Sequence, residues 1–247
     1  MNYVLITGAN SDIGFVIAKA MHNYGYNLIL TDVESKLEEV KNKLLEIDVN
    51  ILDSVIIEKL DLTEEKISDK FKKLIEDYKI HSLINVAGIN ILKNFLDWNE
   101  EEIQRIITIN ATNTLLLTQY VSKNMISNNI NGNIIFISSQ HGIVANYDRV
   151  PYSLSKAILI QMTKSLALEL SAFKIRVNCI SPTFVITSNN RDMLNEPYFI
   201  INALEEIPLK KYVKPEDIME AVMFLISKKS NLITGHNLVI DGGWTIK

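Results

Sequence analysis

Thr7-Gly8-Ala9-Asn10-Ser11-Asp12-Ile13-Gly14 is the stretch that decides the fold. It follows the apolar run Tyr3-Val4-Leu5-Ile6 and opens a segment of helical period. A strand that turns straight into a helix gathers free backbone N–H groups and the positive end of the helix dipole at one point, which suits a phosphate. Glycine keeps side chains out of the way there. A plain strand-to-helix turn also favours glycine, so two glycines leave both readings open.

Working outward, short apolar runs at 3–7, 27–31, 55–60, 82–86, 133–138, 175–180 and 237–241 read as strands. They are near-continuous rather than alternating, as expected of strands covered on both faces. Between them lie segments of helical period near 14–25, 35–49, 64–79, 99–128, 152–172 and 215–227. This alternation predicts an α/β fold, a Rossmann-type doubly wound, seven-stranded parallel sheet with helices on both faces. Asn99 with Glu102 forms a capping-box pattern, and Pro215-Glu216-Asp217 puts proline and two acids in a first turn. No linker, repeat or low-complexity tract interrupts the pattern, so 1–247 reads as a single domain. The stretch 183–213, with Pro197 and Pro208 and no sustained period, is expected to be a lid over a substrate.

Composition narrows the function. A chain of 247 residues can bury roughly 70–75% of its extended surface in one core. An apolar fraction of 47% and a charged fraction of 22% exclude wholesale disorder. Lys+Arg 25 against Asp+Glu 29 leaves a net charge of −4, which weighs against nucleic acid. The single cysteine, Cys179, excludes an internal disulfide framework and fits a reducing cytosol. No apolar run reaches the ~18–20 residues of a membrane span, and Tyr3–Ile6 is too short for a signal peptide. A cytoplasmic protein is expected. No His/Cys/Asp/Glu cluster has metal-ligand spacing, so no metal is expected.

Four further positions bear on chemistry. Asp32 ends the second strand, 18 residues beyond Gly14, where a dinucleotide fold places an acid on the adenosine ribose. A carboxylate there repels a 2′-phosphate, and no Lys or Arg occurs among residues 8–14 or 30–35. Asp32 or Ser35 also qualifies as a helix N-cap. Tyr152-Ser153-Leu154-Ser155-Lys156 sets a phenol and an ammonium on one helix face, a pattern that is otherwise a plain solvated face. Ser139 stands 13 residues upstream, at the tip of a strand whose end faces the ligand crevice. Asn110 continues the stripe Ile103, Ile106, Ile107, so its amide points at the core, with a structural and a catalytic role both open.

Taken in order, Thr7–Gly14, Asp61, Asn85-Val86-Ala87-Gly88, Asn110, Ser139, Tyr152-x-x-x-Lys156, Pro182 through Thr187, Thr234-Gly235 and Asp241-Gly242-Gly243 resemble the compact branch of the short-chain dehydrogenases/reductases. The resemblance covers nearly the whole chain. It implies an oxidoreductase that exchanges a hydride between NAD, rather than NADP, and a small alcohol/carbonyl substrate. Tyr152 would be the acid/base, Lys156 would lower its pKa and hold the nicotinamide ribose, Ser139 would bind the substrate oxygen, and Asn110 would hold a water linking Lys156 to solvent. Gly8, Ser11, Asp12, Ile13 and Gly14 would line the pyrophosphate, Asp32 the adenosine ribose, and Asp61 and Leu62 the adenine. Asn85, Ala87 and Gly88 would flank the adenosine side, and Pro182, Val185 and Thr187 the nicotinamide.

Three positions depart from the family pattern. Asp12 replaces a glycine and brings a carboxylate to the phosphate site unless it turns back to cap the helix. Val86 replaces an asparagine, and Thr183 a glycine beside the nicotinamide. The polar candidates Asn90, Gln140, His141, Asn146, Arg149, Asn189, Asn190 and Arg191 lean toward a hydroxylated or anionic substrate such as a sugar or hydroxy acid. A 3-oxoacyl-thioester reductase and a non-catalytic NAD-sensing or scaffold protein are the alternatives. The resemblance also implies a homo-oligomer, tetramer or dimer, through helices 99–128 and 152–172. The face Ile158, Met162, Leu166, Leu170 suits either that interface or internal packing.

Overall fold

The seven apolar runs become strands β1 (Asn2–Thr7), β2 (Asn27–Asp32), β3 (Val55–Lys59), β4 (Lys79–Asn85), β5 (Asn133–Ile137), β6 (Arg176–Pro182) and β7 (Asn237–Ile240) in a computed structural model. It describes residues 2–48, 50–64 and 67–246; Val49, Glu65 and Lys66, which the expected helices 35–49 and 64–79 include, lie outside the described residues. Every pairing is parallel and the order is β3-β2-β1-β4-β5-β6-β7. Strand period sorts the side chains between two cores. Val4, Ile6, Leu28, Leu30, Ile84, Ile135 and Ile180 enter one. Leu5, Ile29, Leu83, Ile134, Phe136, Val177 and Cys179 enter the other.

Helices α1 (Asp12–Asn23), α2 (Glu34–Leu45), α3 (Ser68–Ile75), α4 (Glu100–Ile107), α5 (Asn113–Ser127), α6 (Val150–Leu170), α7 (Arg191–Leu194), α8 (Pro197–Phe199) and α9 (Pro215–Ile226) follow in chain order. The first core receives Ile17 and Met21 of α1, Val40 and Leu44 of α2, and Ile218, Val222 and Leu225 of α9. The second receives Phe71 of α3, Leu117 and Val121 of α5, and Leu159 and Met162 of α6. Ile158, Leu166 and Leu170 of α6 pack against that second core, so this face serves the monomer's own interior.

Two expected helices are shorter than their apolar period. α2 stops at Leu45, beyond which the Asp48 carboxylate accepts the Asn50 N–H at 2.9 Å in a turn. The segment 64–79 becomes helical only at Ser68, because the Asp61 carboxylate takes the Thr63 N–H and hydroxyl and holds the chain in a turn. The segment 99–128 starts as expected: the Asn99 side chain accepts the Glu102 N–H at 2.9 Å and Glu102 returns the bond to the Asn99 N–H. A π-turn at Thr108–Thr112 then divides it into α4 and α5, with fully buried Asn110 inside the turn.

The strand order reverses at β1, between β2 and β4, and crossovers to opposite faces leave a crevice at the strands' C-terminal ends. There Thr7 pairs with Asn85, and the Thr7 hydroxyl accepts the Val86 and Ala87 N–H groups at 3.2 Å each. The stretch 183–213 arches beside this crevice. It is irregular yet tied down: Ile186 and Val213 cross-link it by backbone bonds, and the Tyr212 hydroxyl lies 3.1 and 3.2 Å from the Leu194 and Phe199 carbonyls. Among the described residues no helix is long and apolar enough to cross a membrane.

Candidate active site

At the β1–α1 turn, Gly8 adopts φ +67° and its backbone runs against that of Ala87 so closely that a Cβ would stand 2.9 Å from the Ala87 N and Cα. Only glycine fits both conditions. Ser11 caps α1: its hydroxyl accepts the Gly14 N–H at 3.1 Å and donates to the Gly8 carbonyl at 2.7 Å. The turn thereby aims a helix N-terminus into a cleft of about 620 Å³ lined by Gly8, Ser11, Asp12, Asp32, Asp61, Leu62, Ala87, Gly88 and Thr187, among others. A backbone cradle at a helix N-terminus, with an acid at the next strand end, fits a dinucleotide.

Asp32 does not cap a helix. One carboxylate oxygen accepts the Asn10 N–H at 2.8 Å and the other the Val33 N–H at 2.9 Å, while α2 begins after Val33 with no side-chain cap. Ser35 lies inside α2. Nor does Asp12 cap α1. Its carboxylate reaches across the cleft rim and accepts the N–H of Ser188 and, at 3.1 Å, the Ser188 hydroxyl.

The second centre lies where the β5 tip meets α6. Ser139, His141, Arg149, Tyr152, Lys156 and Thr183 line a cavity of about 280 Å³. Ser11, Val86, Gly88, Ile89 and Thr187 also line the larger cleft, so the two are continuous. The Ser138 hydroxyl donates to the Lys156 carbonyl at 2.8 Å and locks α6 against the strand tip. The buried Lys156 ammonium donates to the Ile137 carbonyl at 2.8 Å and stands 5.6 Å from the centre of the Tyr152 ring. Asn110 donates both amide hydrogens, to the Ile89 carbonyl at 2.9 Å and the Ser155 hydroxyl at 3.0 Å, and accepts the Ile89 N–H at 2.8 Å. Its side chain holds the backbone beside Gly88, where a Cβ would lie 3.4 Å from the Lys156 ammonium.

Burial dominates the electrostatics. It brings Lys156 down from 10.5 to about 8 and pushes Cys179 up to about 11. It also brings His141 down from 6.5 to about 4, with the nearby Arg149 charge adding to the effect. Burial raises the Tyr152 phenol, while the Ser139 hydroxyl and the Arg149 guanidinium pull it back. The Lys156 ammonium, expected to lower this phenol, lies over its ring and donates to the Ile137 carbonyl, and the Arg149 guanidinium adds a second positive charge nearby.

Of the expected cofactor positions, Ile13, Pro182 and Val185 line the smaller cavity. Gly14 sits behind the turn, and Asn85 is buried with its amide nitrogen unpartnered. The polar substrate candidates divide. Asn90, His141, Arg149 and Asn190 line the smaller cavity and Asn189 the larger cleft. Gln140 is fully buried outside the cavity lining, because the turn after Ser139 directs it into the interior. Asn146 accepts the Tyr147 N–H in a surface loop, and Arg191 faces a separate groove with Phe15 and Pro215. Sequence reading missed Lys36, Glu39, Lys43 and Arg105, which all line the nucleotide cleft from helices. It also missed Phe184, which stacks edge-on with His141 in the cavity wall.

Comparison with known proteins gives the same picture. A family model described as enoyl-(acyl carrier protein) reductase matches residues 8–245. The NAD-dependent glycerol dehydrogenase of Listeria innocua is 32% identical over 254 aligned residues, covering 98% of this chain and 93% of that protein. The 2-dehydro-3-deoxy-D-gluconate 5-dehydrogenase of Bacillus subtilis is 34% identical over 246, covering 97% and 93%. A solved structure of 4-hydroxyisoleucine dehydrogenase complexed with NADH superimposes with a TM-score of 0.90 at 30% identity over the whole of both chains. A glycine turn between β1 and α1 capped by Ser11, a serine, tyrosine and lysine lining one cavity, and full-length similarity of this kind lead to one conclusion: the chain belongs to the short-chain dehydrogenase/reductase family, enzymes that act on CH–OH groups.

Proposed function

We propose that this chain is an NAD(H)-linked oxidoreductase that interconverts a secondary alcohol and a ketone on a small polar substrate. One observation carries the reading: Ser139, Tyr152 and Lys156 line one small cavity that opens directly onto the Gly8 cleft. Gly8, Ser11, Ile13 and Gly14 hold the pyrophosphate, Asp32 the adenosine ribose, and Asp61 and Leu62 the adenine. Asn85, Ala87 and Gly88 flank the adenosine, and Pro182, Val185 and Thr187 the nicotinamide. A bound nicotinamide supplies or accepts the hydride.

Tyr152 exchanges the proton. Oxidation requires the phenolate to take the substrate's O–H proton; reduction requires the phenol to return it. Ser139 donates to the same substrate oxygen and keeps it within reach of the phenol. Lys156 holds the nicotinamide ribose from the cavity floor. Asn110 is a positioning residue, because its amide fixes the Ile89 backbone and Ser155 rather than reaching the cavity. The segment 183–213 closes over the substrate as a lid.

NAD is favoured over NADP by charge. Asp32 stands where a 2′-phosphate would lie, and Lys36 and Lys43, which line the same cleft, are engaged by Glu39 at 3.3 and 2.9 Å. The glycerol dehydrogenase relative is NAD-dependent, and the 4-hydroxyisoleucine dehydrogenase structure contains NADH, which supports the assignment. We further infer a homo-oligomer, dimer or tetramer, through α5 and α6, where Leu115, Leu154 and Leu168 are exposed. The test is a panel of polyols, sugars, hydroxy acids and long apolar alcohols, oxidised with NAD and NADP in parallel. The reading expects NAD-linked turnover of polar substrates. Turnover confined to apolar alcohols, or a strong preference for NADP, contradicts it.

A further inference from the structure

Arg149 is 8% exposed and lines the catalytic cavity immediately before α6, yet no hydrogen bond or ion pair engages its guanidinium among the described residues. Its Nε is buried without an acceptor, and its Cζ lies over the Phe184 ring, 5.6 Å from the ring centre. The charge of Asp148 acts on it from the neighbouring position without an ion pair, and Asp148 itself is solvent-exposed. A guanidinium cannot shed its proton to escape burial as a lysine can, so an unpaired one in a cavity wall is held at a considerable cost. That cost is recovered when an anion enters.

The neighbours point the same way. His141 Nδ1 and the Thr183 hydroxyl, both lining this cavity, are buried and also lack partners. Among the described residues no carboxylate lines the cavity. Three side chains with unspent polar capacity therefore line the same cavity as Tyr152, and one of them carries a fixed positive charge. A neutral polyol leaves that charge unpaired. A carboxylate matches its fork with two parallel N–H···O bonds.

We propose that the substrate is a small hydroxy acid and its keto-acid product, with the carboxylate on Arg149 and the reacting oxygen on Tyr152 and Ser139. His141 and Thr183 complete the carboxylate subsite. The inference rests on the oxidoreductase reading above and assigns its substrate class; the reaction is the same, with hydride passing from the carbinol carbon to NAD and the hydroxyl proton to Tyr152. A cavity of about 280 Å³ suits a short acid rather than a long chain.

The experiment compares matched pairs, 3-hydroxybutyrate with butane-1,3-diol and gluconate with glucitol, on wild type, Arg149→Met and Arg149→Lys. Two readouts are taken: kcat/KM with NAD, and the shift in melting temperature that each compound gives to the NADH-loaded protein. Wild type is expected to favour at least one acid over its neutral partner by at least about 30-fold, the size expected of a desolvated charge pair. Arg149→Met is expected to erase that ratio mainly through KM, and Arg149→Lys to restore part of it. An NADH titration confirms that each variant is folded. If acids and neutral partners stabilise wild type equally, or if Arg149→Met leaves the ratio intact, the carboxylate assignment is wrong. If acids stabilise wild type through Arg149 but no compound is turned over, the subsite stands and the oxidoreductase reading falls.

Discussion

Asp12, the first residue of α1, grips Ser188 of the arch beside the crevice through both the backbone N–H and, at 3.1 Å, the hydroxyl of that serine. The carboxylate that departs from the family's glycine thus joins the phosphate turn to the candidate lid. Asp12→Ala is expected to release residues 183–213, read as faster proteolytic cleavage within them. Asp12→Asn keeps an acceptor and removes the charge. At roughly 8 Å in water one charge pair contributes about 0.5 kcal/mol, so NADH is expected to bind this variant about twofold more tightly. Weaker binding by Asp12→Asn would mean that the charge supports the site instead of opposing phosphate.

Cofactor choice is expected to turn on Asp32 and Glu39 together. Glu39 is held down at about 2 by Lys43, Asn10 and Lys36, so it engages both lysines in the cleft. Asp32→Ala alone is expected to weaken NADH about tenfold, the loss of roughly one charged hydrogen bond, with little gain for NADPH. Adding Glu39→Ala frees the lysines and is expected to improve NADPH binding at least about tenfold over the single variant. Fluorescence titration with both cofactors checks this. A full switch from Asp32→Ala alone would show that Glu39 plays no part.

Much of the fold was legible because it is written in local periods. Seven apolar runs gave seven strands within a few residues, and Asn99 with Glu102 formed the expected reciprocal cap. What escaped reading depends on side chains distant in sequence. The stripe Ile103, Ile106, Ile107 put the Asn110 amide toward the core, but its three hydrogen bonds to Ile89 and Ser155 accompany a π-turn that no local period announces. The nucleotide-side cations were missed because Lys36 and Lys43 approach from α2, outside the strand-end window. Gln140 and His141 are adjacent and equally polar, yet the turn after Ser139 sends only His141 to the cavity. In the sequence Arg149 was one polar substrate candidate among eight. Only its burial without a partner marks it out.

Burial of His141 sets an acid limit. Its pKa falls from 6.5 to about 4 in the folded chain, so folding disfavours its protonated form. The stability this gives is complete above pH 6.5 and is lost progressively as pH falls toward 4, in total about 3 kcal/mol. His81, lowered by burial and then by Arg176, acts in the same direction. His141→Gln is expected to unfold in urea with a shallower loss of stability between pH 6.5 and 4.5. Parallel curves for variant and wild type would contradict the assignment.

Lys156 carries its charge at a cost to stability. Burial lowers its pKa from 10.5 to about 8, so below pH 8 the folded state carries the full cost of the charge, about 3 kcal/mol, relieved as pH rises toward 10.5. Its bond to the Ile137 carbonyl returns about 1 kcal/mol. Lys156→Met is therefore expected to be more stable than wild type at pH 7 by about 2 kcal/mol, with the gap closing as pH rises, while its turnover is lost. A less stable variant at pH 7 would show that the ammonium supports the fold.

The proposed reaction depends above all on the proton at the Tyr152 oxygen. Tyr152→Phe removes that oxygen and leaves the ring that packs near His141 and under the Lys156 ammonium. Single-turnover oxidation with NAD, using the best substrate from the panel, measures the step directly, and NADH titration checks that the site is intact. The predicted result is unchanged NADH affinity with a rate lower by roughly 10²–10⁴-fold, the usual contribution of a positioned acid/base. A variant that turns over at the wild-type rate would remove Tyr152 from the chemistry.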